Sequence, residues 1–269
     1  MGCVNEEETS NQTRISMRLT AISMLLVLLL AACGGGGGDT ATDGESDSGD
    51  AMPAEEMTAM GTGSVSGMVM FTGEPSERTP VRMNDDCTDE RAETALSEDM
   101  IVNDGALQNV FVYVSAGLPE GYAYAAPTAP VVMDQVGCMY TPRVMGMQTG
   151  QTIRIENSDP FQHNVHPVPE DNRGFNESTP GIGDYLEKTF LVPEVMISVK
   201  CDVHSWMQAY IGVLDHPYFA TTDASGAFSI SGLPDGNYTV TAWHEQLGEQ
   251  TMDVMVADGG MAEASITYQ

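Results

Sequence analysis

Hydrophobic and polar residues alternate along most of this chain, and the alternation has a period of two. Ser64-Val-Ser-Gly-Met-Val-Met-Phe71 is the first clear run, and Gly73-Glu-Pro ends it. Asn109–Ser115, Thr152–Glu156, Lys188–Val192, Val195–Lys200, Ala209–Leu214, Ala227–Ile230, Tyr238–Trp243, Met252–Val256 and Ala264–Tyr268 follow the same pattern. Period two places one set of side chains on one face of a strand, so these runs predict half-buried β-strands. Gly226, Leu233-Pro-Asp-Gly236 and Asn157-Ser-Asp-Pro160 punctuate them with turn-forming residues. Many short strands at regular spacing predict an all-β protein built from sandwiches. Only Glu90–Ser97 reads as a candidate helical turn.

The first sixty residues do not join this pattern. Met17–Cys33 reads MRLTAISMLLVLLLAAC: an arginine, a short apolar run, then small residues before a cysteine. That is the layout of a secretory signal peptide, and the run is too short to span a bilayer comfortably. Residues 1–32 are therefore expected to be a leader. Leu30-Ala31-Ala32-Cys33 resembles the lipobox of bacterial lipoproteins, which implies that Cys33 is lipidated and anchors the chain to the membrane. No retention signal follows at Gly34, so the expected location is the outer membrane, facing the periplasm. A plain cleavable signal is the alternative. Residues 33–63 form a Gly- and acid-rich stretch with little to bury, expected to act as a flexible tether.

The formal net charge is −29. It hardly changes on loss of the leader, which holds two arginines and three glutamates. Nucleic acid is excluded as a partner, because phosphate neutralisation needs basic patches. The acids are spread along the chain, as in a solvated surface, although they would also steer a basic redox partner.

Cysteine usage narrows the chemistry further. Of five cysteines, Cys3 goes with the leader and Cys33 would carry lipid. Cys87 and Cys138 remain as a pair in a compartment where disulfides persist. They have no CxxC spacing, so a structural bond is the expectation rather than a redox centre. Cys201 is then the odd thiol.

Cys201 lies in Cys201-Asp-Val-His204-Ser-Trp-Met207, directly after the strand-like run VMISVK. A distant strand and turn, TIRIENSDPFQ, lead to His163-Asn164-Val165. A thiolate, two imidazoles and a thioether form a soft mixed donor set, that of blue-copper sites with a trigonal His2Cys plane and a weak axial Met. This block resembles a cupredoxin domain of the plastocyanin and amicyanin type, with the short ligand loop of amicyanin. The resemblance implies one type 1 copper ion, held by His163, Cys201, His204 and Met207, with His204 partly exposed. It also implies that Asn164 fastens the two ligand loops and that Trp206 joins His204 in an apolar exit face. Asp202 beside the thiolate departs from the family and puts the redox potential in doubt.

Elsewhere, TDASGAFSISGLPDGNYTVTAWHE (222–245), GSVSGMVMFTG (63–73) and LQNVFVYV (107–114) resemble the carboxypeptidase regulatory-like domain, a small transthyretin-like sandwich without catalytic residues. The expected organisation is a discontinuous outer sandwich, residues 64–128 and 217–269, with a cupredoxin Greek-key sandwich inserted at 129–216. Two domains in a row, with the N-terminal strands completing the middle block, is the alternative.

Other metal-capable residues have ordinary readings. His166 has an odd offset from His163, which turns it to the other strand face. His216 and His244 lack an evident third ligand. Met145 and Met147 could take Cu(I), but gap-filling is the commoner use of Met. No GxSxG, HExxH or phosphate-cradling loop occurs, so no enzyme is expected. The expected function is single-electron transfer with an unidentified redox protein. A copper chaperone or storage protein, and a structural surface module with a metal-free fold, are the alternatives.

Overall fold

The computed structural model describes residues 61–89 and 91–269. The leader, the lipidation site Cys33 and nearly all of the linker lie outside them. The described chain is almost entirely β, with four sheets and one five-residue helix.

Gly63–Phe71 is the hub of the first sheet. It pairs antiparallel with Ala227–Leu233 and Ala106–Leu107, and parallel with Met261–Glu263 and Ile266–Tyr268. The facing sheet runs in the order Phe219–Thr221, Phe111–Ala116, Gly236–His244, Gly248–Val256, all antiparallel. N-terminal strands thus pair with C-terminal ones. Val65, Val69, Leu107, Val112, Val114, Ile230 and Val240 fill the space between these two sheets. Their β-branched and aliphatic side chains suit a pleated, half-buried surface.

The middle of the chain builds a second sandwich. One sheet runs Glu177–Thr179, His163–Val168, Glu194–Lys200, Gln208–Leu214, Val144–Gln148, the last pair being parallel. The other runs Tyr185–Thr189, Thr152–Asn157, Val131–Val136, Met139–Thr141. The strict alternation of Thr152–Asn157 becomes alternate burial, with Ile153, Ile155 and Asn157 inside. Met145 and Met147 are buried in this core.

The two sandwiches meet at Phe111 and Phe219 of the first and the paired Gly146 and Gly212 of the second. A Cβ on Gly146 would lie 2.4 Å from the Phe219 ring, and one on Gly212 2.5 Å from Phe111. Glycine at both positions lets the rings sit on bare backbone. Beside this contact, Arg143 makes a two-pronged ion pair with Glu245, at 2.6 and 2.8 Å. Both side chains are less than a tenth exposed.

Residues 72–89 and 91–100 form a strap with little regular structure, which leaves the first sandwich after Phe71, reaches the second at Cys87 and returns to the first at Val102. The helix is Asp85–Asp89, one turn earlier than the expected Glu90–Ser97, and among residues 91–97 none is helical. The reason is local. The Asn84 side chain accepts from the Cys87 amide at 3.0 Å, a helix N-cap, and Asp85 and Asp86 favour the first turn. Cys87 in this turn is bonded to Cys138, and Arg91 donates to the Gly137 carbonyl at 2.7 Å.

The buried ion pair predicts an asymmetry. Removing Glu245 leaves Arg143 with only the charge of Glu98 nearby and no hydrogen-bonded carboxylate, so Glu245→Ala should destabilise the protein by about 3 kcal/mol, the lower end for a broken buried pair. An Arg143→Met/Glu245→Leu double substitution should recover most of that loss in chemical denaturation.

Candidate metal centre

The site sits at one end of the second sandwich, where two neighbouring strands meet. His163 opens the strand His163–Val168, and Cys201 follows directly on Glu194–Lys200. These strands pair antiparallel, with Lys200 opposite His166. The loop from Cys201 closes on itself: the Met207 amide donates to the His204 carbonyl at 2.9 Å, and the Cys201 amide to the Met207 carbonyl at 3.3 Å.

Ligand atoms of His163, Cys201 and His204 all lie within 4.8 Å of one another. His163 Nδ1 and His204 Nδ1 are 2.8 Å apart, and Cys201 Sγ is 3.9 Å from His204 Nδ1. Met207 is buried in the same core cluster as Cys201. The structure thus brings His163, Cys201 and His204 together and buries Met207 beside them. Cys201 is a free thiol and 2% exposed.

Asp159, which sequence reasoning passed over as a turn residue, is central here. Its Oδ2 accepts from His163 Nε2 at 2.8 Å and from the Cys138 amide at 2.8 Å, while Oδ1 accepts from the Gly137 amide at 2.6 Å. With Nε2 donating to a fixed carboxylate, Nδ1 is the nitrogen left facing Cys201 and His204. Outer partners of this kind orient a metal-ligating imidazole and fix its tautomer. The one signal available in sequence was an acid four residues before a histidine.

The electrostatics agree with that picture. Burial opposes ionisation of Asp159, but hydrogen bonds from His163 and the amides of Cys138 and Gly137 outweigh it and hold the carboxyl below its usual range. Burial likewise disfavours the His163 cation, yet Asp159 and Cys201 hold its pKa above the usual value. Burial pushes the Cys201 thiol up. Hydrogen bonds from His163 and from backbone amides nearby prevail and lower it. His204 goes the other way, lowered by burial and by the neighbouring His163 charge.

His204 departs from expectation. It is 3% exposed rather than partly exposed. Phe161 and Trp206 lie against its ring, with centroids 6.3 and 5.1 Å away. On another side stands the disulfide: a ligand atom of His204 and the Cys87 and Cys138 sulfurs lie within 4.8 Å of one another. Being bonded to each other, those sulfurs are not free to ligate. Trp206 is only partly exposed and donates its Nε1–H inward to the Cys138 carbonyl at 3.0 Å. It therefore forms part of the cover over His204.

Asn164 bridges the two ligand segments. Its Oδ1 accepts from the Asp202 amide, and its amide group donates to Asn176. Tyr140 donates to the Asn164 carbonyl at 2.7 Å, with the Lys200 carbonyl 3.1 Å away. His166 faces outward, 37% exposed, with Nδ1 3.1 Å from Asp202 Oδ1. His216 is buried against Tyr218, and burial lowers its pKa. His244 is buried in the first sandwich, where burial and the Arg143 charge lower its pKa to about 4. Among the described residues, neither belongs to a group of three metal-capable side chains.

The family model described as polysaccharide lyase family 4, domain II, matches residues 191–264, less than half of the chain. The match begins in the second sandwich and runs into the first. No curated protein matches the chain. Among solved structures, a copper-containing nitrite reductase from Thermus scotoductus is 23% identical over 38% of this chain and 26% of its own, with TM-score 0.31. The chain thus spans about a quarter of that enzyme. A purple cupredoxin from Nitrosopumilus maritimus is 20% identical over 31% of this chain and 98% of its own, TM-score 0.27. An oxidised amicyanin variant is 16% identical over 38% and 97%, TM-score 0.30.

The Asp159–His163 pair predicts a titration. In the metal-free protein, the His163 ring should titrate above the ordinary value of 6.5. Asp159→Asn removes the charge that stabilises the imidazolium, so the midpoint should fall, read by NMR of the ring nitrogens. An unchanged midpoint would show that the carboxylate does not hold this ring.

Proposed function

We propose that this protein binds one type 1 copper ion through His163, Cys201, His204 and Met207 and passes single electrons at the cell envelope. One observation carries the reading. A thiol held toward its thiolate and two imidazole Nδ1 atoms converge in a buried pocket, and the second nitrogen of His163 is already taken by Asp159. The donors fit copper in both oxidation states, because sulfur ligands favour Cu(I) and imidazoles accept Cu(II). Copper bound there would supply a one-electron couple.

The chain's own residues do the rest. Asp159 orients His163. Asn164 ties the strand carrying His163 to the loop carrying Cys201. Phe161, Trp206 and the disulfide exclude water from His204. A site held by so many fixed contacts resists rearrangement between oxidation states, which favours electron transfer. The same burial disfavours a copper chaperone, whose cargo must pass to a partner through accessible ligands. The leader and the Leu30-Ala31-Ala32-Cys33 motif support export and a lipid anchor at Cys33 in the outer membrane, facing the periplasm. The partner on this reading is a redox protein.

The test is a visible absorption spectrum of the folded protein with added Cu(II), beside a Cys201→Ser control. An intense thiolate-to-copper band, present in the wild type and lost in the control, is the expected result. A folded, copper-loaded protein without that band would overturn the electron-transfer reading.

A further inference from the structure

The burial of His204 leaves a copper centre of this kind without its most direct way to the surface. The ring is 3% exposed, hemmed in by Phe161, Trp206 and the disulfide that pins the strap. The Trp206 ring meets the His204 ring through space, at 5.1 Å between centroids, and its Nε1–H is turned inward to the Cys138 carbonyl rather than offered to a partner. Electronic coupling decays much more steeply across a through-space gap than along covalent and hydrogen bonds.

A different histidine does reach solvent. Of the five histidines in the chain, four are buried, and His166 alone has a substantially exposed ring. It is tied to both ligand segments. Along the backbone it stands three residues after His163, on the same strand. Across the sheet its Nδ1 lies 3.1 Å from the carboxylate of Asp202, the residue bonded directly to Cys201. Asp202 is in turn fixed by the Asn176 side-chain amide at 2.6 Å, and its own amide donates to Asn164. The path from the Cys201 sulfur to the exposed imidazole therefore needs a single hydrogen bond and no jump through space.

Building on the electron-transfer reading above, we propose that electrons enter and leave through Cys201, Asp202 and His166, and that the strap closes the route through His204. His166 is then the surface contact for the redox partner, a protein too large to reach the covered ring. The strap acts as insulation: Cys87 holds it over His204, and Arg91 fastens it to the turn that carries Cys138.

The test uses the copper-loaded protein and photoexcited zinc-substituted cytochrome c, a basic, protein-sized, strongly reducing donor that cannot penetrate to His204. Each quenching event moves one electron from the excited porphyrin to Cu(II), giving a porphyrin cation radical and Cu(I). His166→Ala should slow this reaction roughly tenfold, within the range that single interface substitutions produce. Its blue absorption band should match the wild type, and the two rates are compared at equal driving force. A Cys87→Ser/Cys138→Ser variant, if it folds, should react faster and lose its dependence on His166. If it does not fold, the His166→Ala comparison decides alone. A rate unaffected by His166→Ala, a loss seen instead in Trp206→Leu, or a blue wild-type protein that does not quench the donor would each overturn the proposal. Absence of the blue band from the wild type would be a failure of the copper reading itself, distinct from these.

Discussion

Much of the site depends on one carboxylate. Asp159 receives two backbone amides of the 137–138 turn on one side and the His163 ring on the other. That turn carries Cys138, so the same group sets the place of the disulfide, and the Cys138 carbonyl sets the place of Trp206. A carboxylate accepting several hydrogen bonds stays ionised. Its charge then holds His163 in one orientation with Nδ1 facing inward. Without it, a buried imidazole would lose its partner at Nε2, and the turn would leave two amides to find other acceptors.

The second constraint is the way the two sandwiches are joined. The chain leaves the first, builds the second and returns, so the connections on both sides hold the pair together. The contact itself is specific: two phenylalanine rings on paired glycines, Tyr210 against Trp243, and the Arg143–Glu245 ion pair alongside. The ion pair carries a large desolvation cost, so the apolar contact is the better account of adhesion and the charges of alignment. Contact and strap do different work, although Glu98 at the end of the strap lies close enough to act on Arg143. One docks the first sandwich on the second, and the other extends the first across the ligand loop.

Strands with one buried face were legible in sequence because alternation records burial directly, as in Thr152–Asn157. Val144–Gln148 was not. Four of its five residues are buried, its glycine serves a ring from the other sandwich, and VMGMQ carries no alternation. The donor types and their order could also be read, since Cys201-x2-His204-x2-Met207 is local and chemically unusual. Asp159 could not, because an Asp before Pro reads as an ordinary turn residue, and only the folded turn shows which amides it meets. The covering of His204 was invisible for another reason. The strap comes from more than a hundred residues earlier, and its sequence is polar and irregular. The resemblance carried by Cys201-x2-His204-x2-Met207 implied a partly exposed His204, and that short motif holds no record of the strap.

That covering bears on which of the proposed copper functions the site could serve. A site built to exchange its metal needs at least one ligand that a partner can approach. Here His163, Cys201, His204 and Met207 are each less than a twentieth exposed, and a disulfide stands over His204. Removing metal would require the strap or the ligand loop to open, which costs packing on both sandwiches. Passing an electron requires neither, because charge can move along bonds while every ligand stays in place. Burial that would hinder a metal carrier therefore suits an electron carrier. On the proposed reading, the net charge of −29 would also gather basic partners at the surface while the centre stays dry.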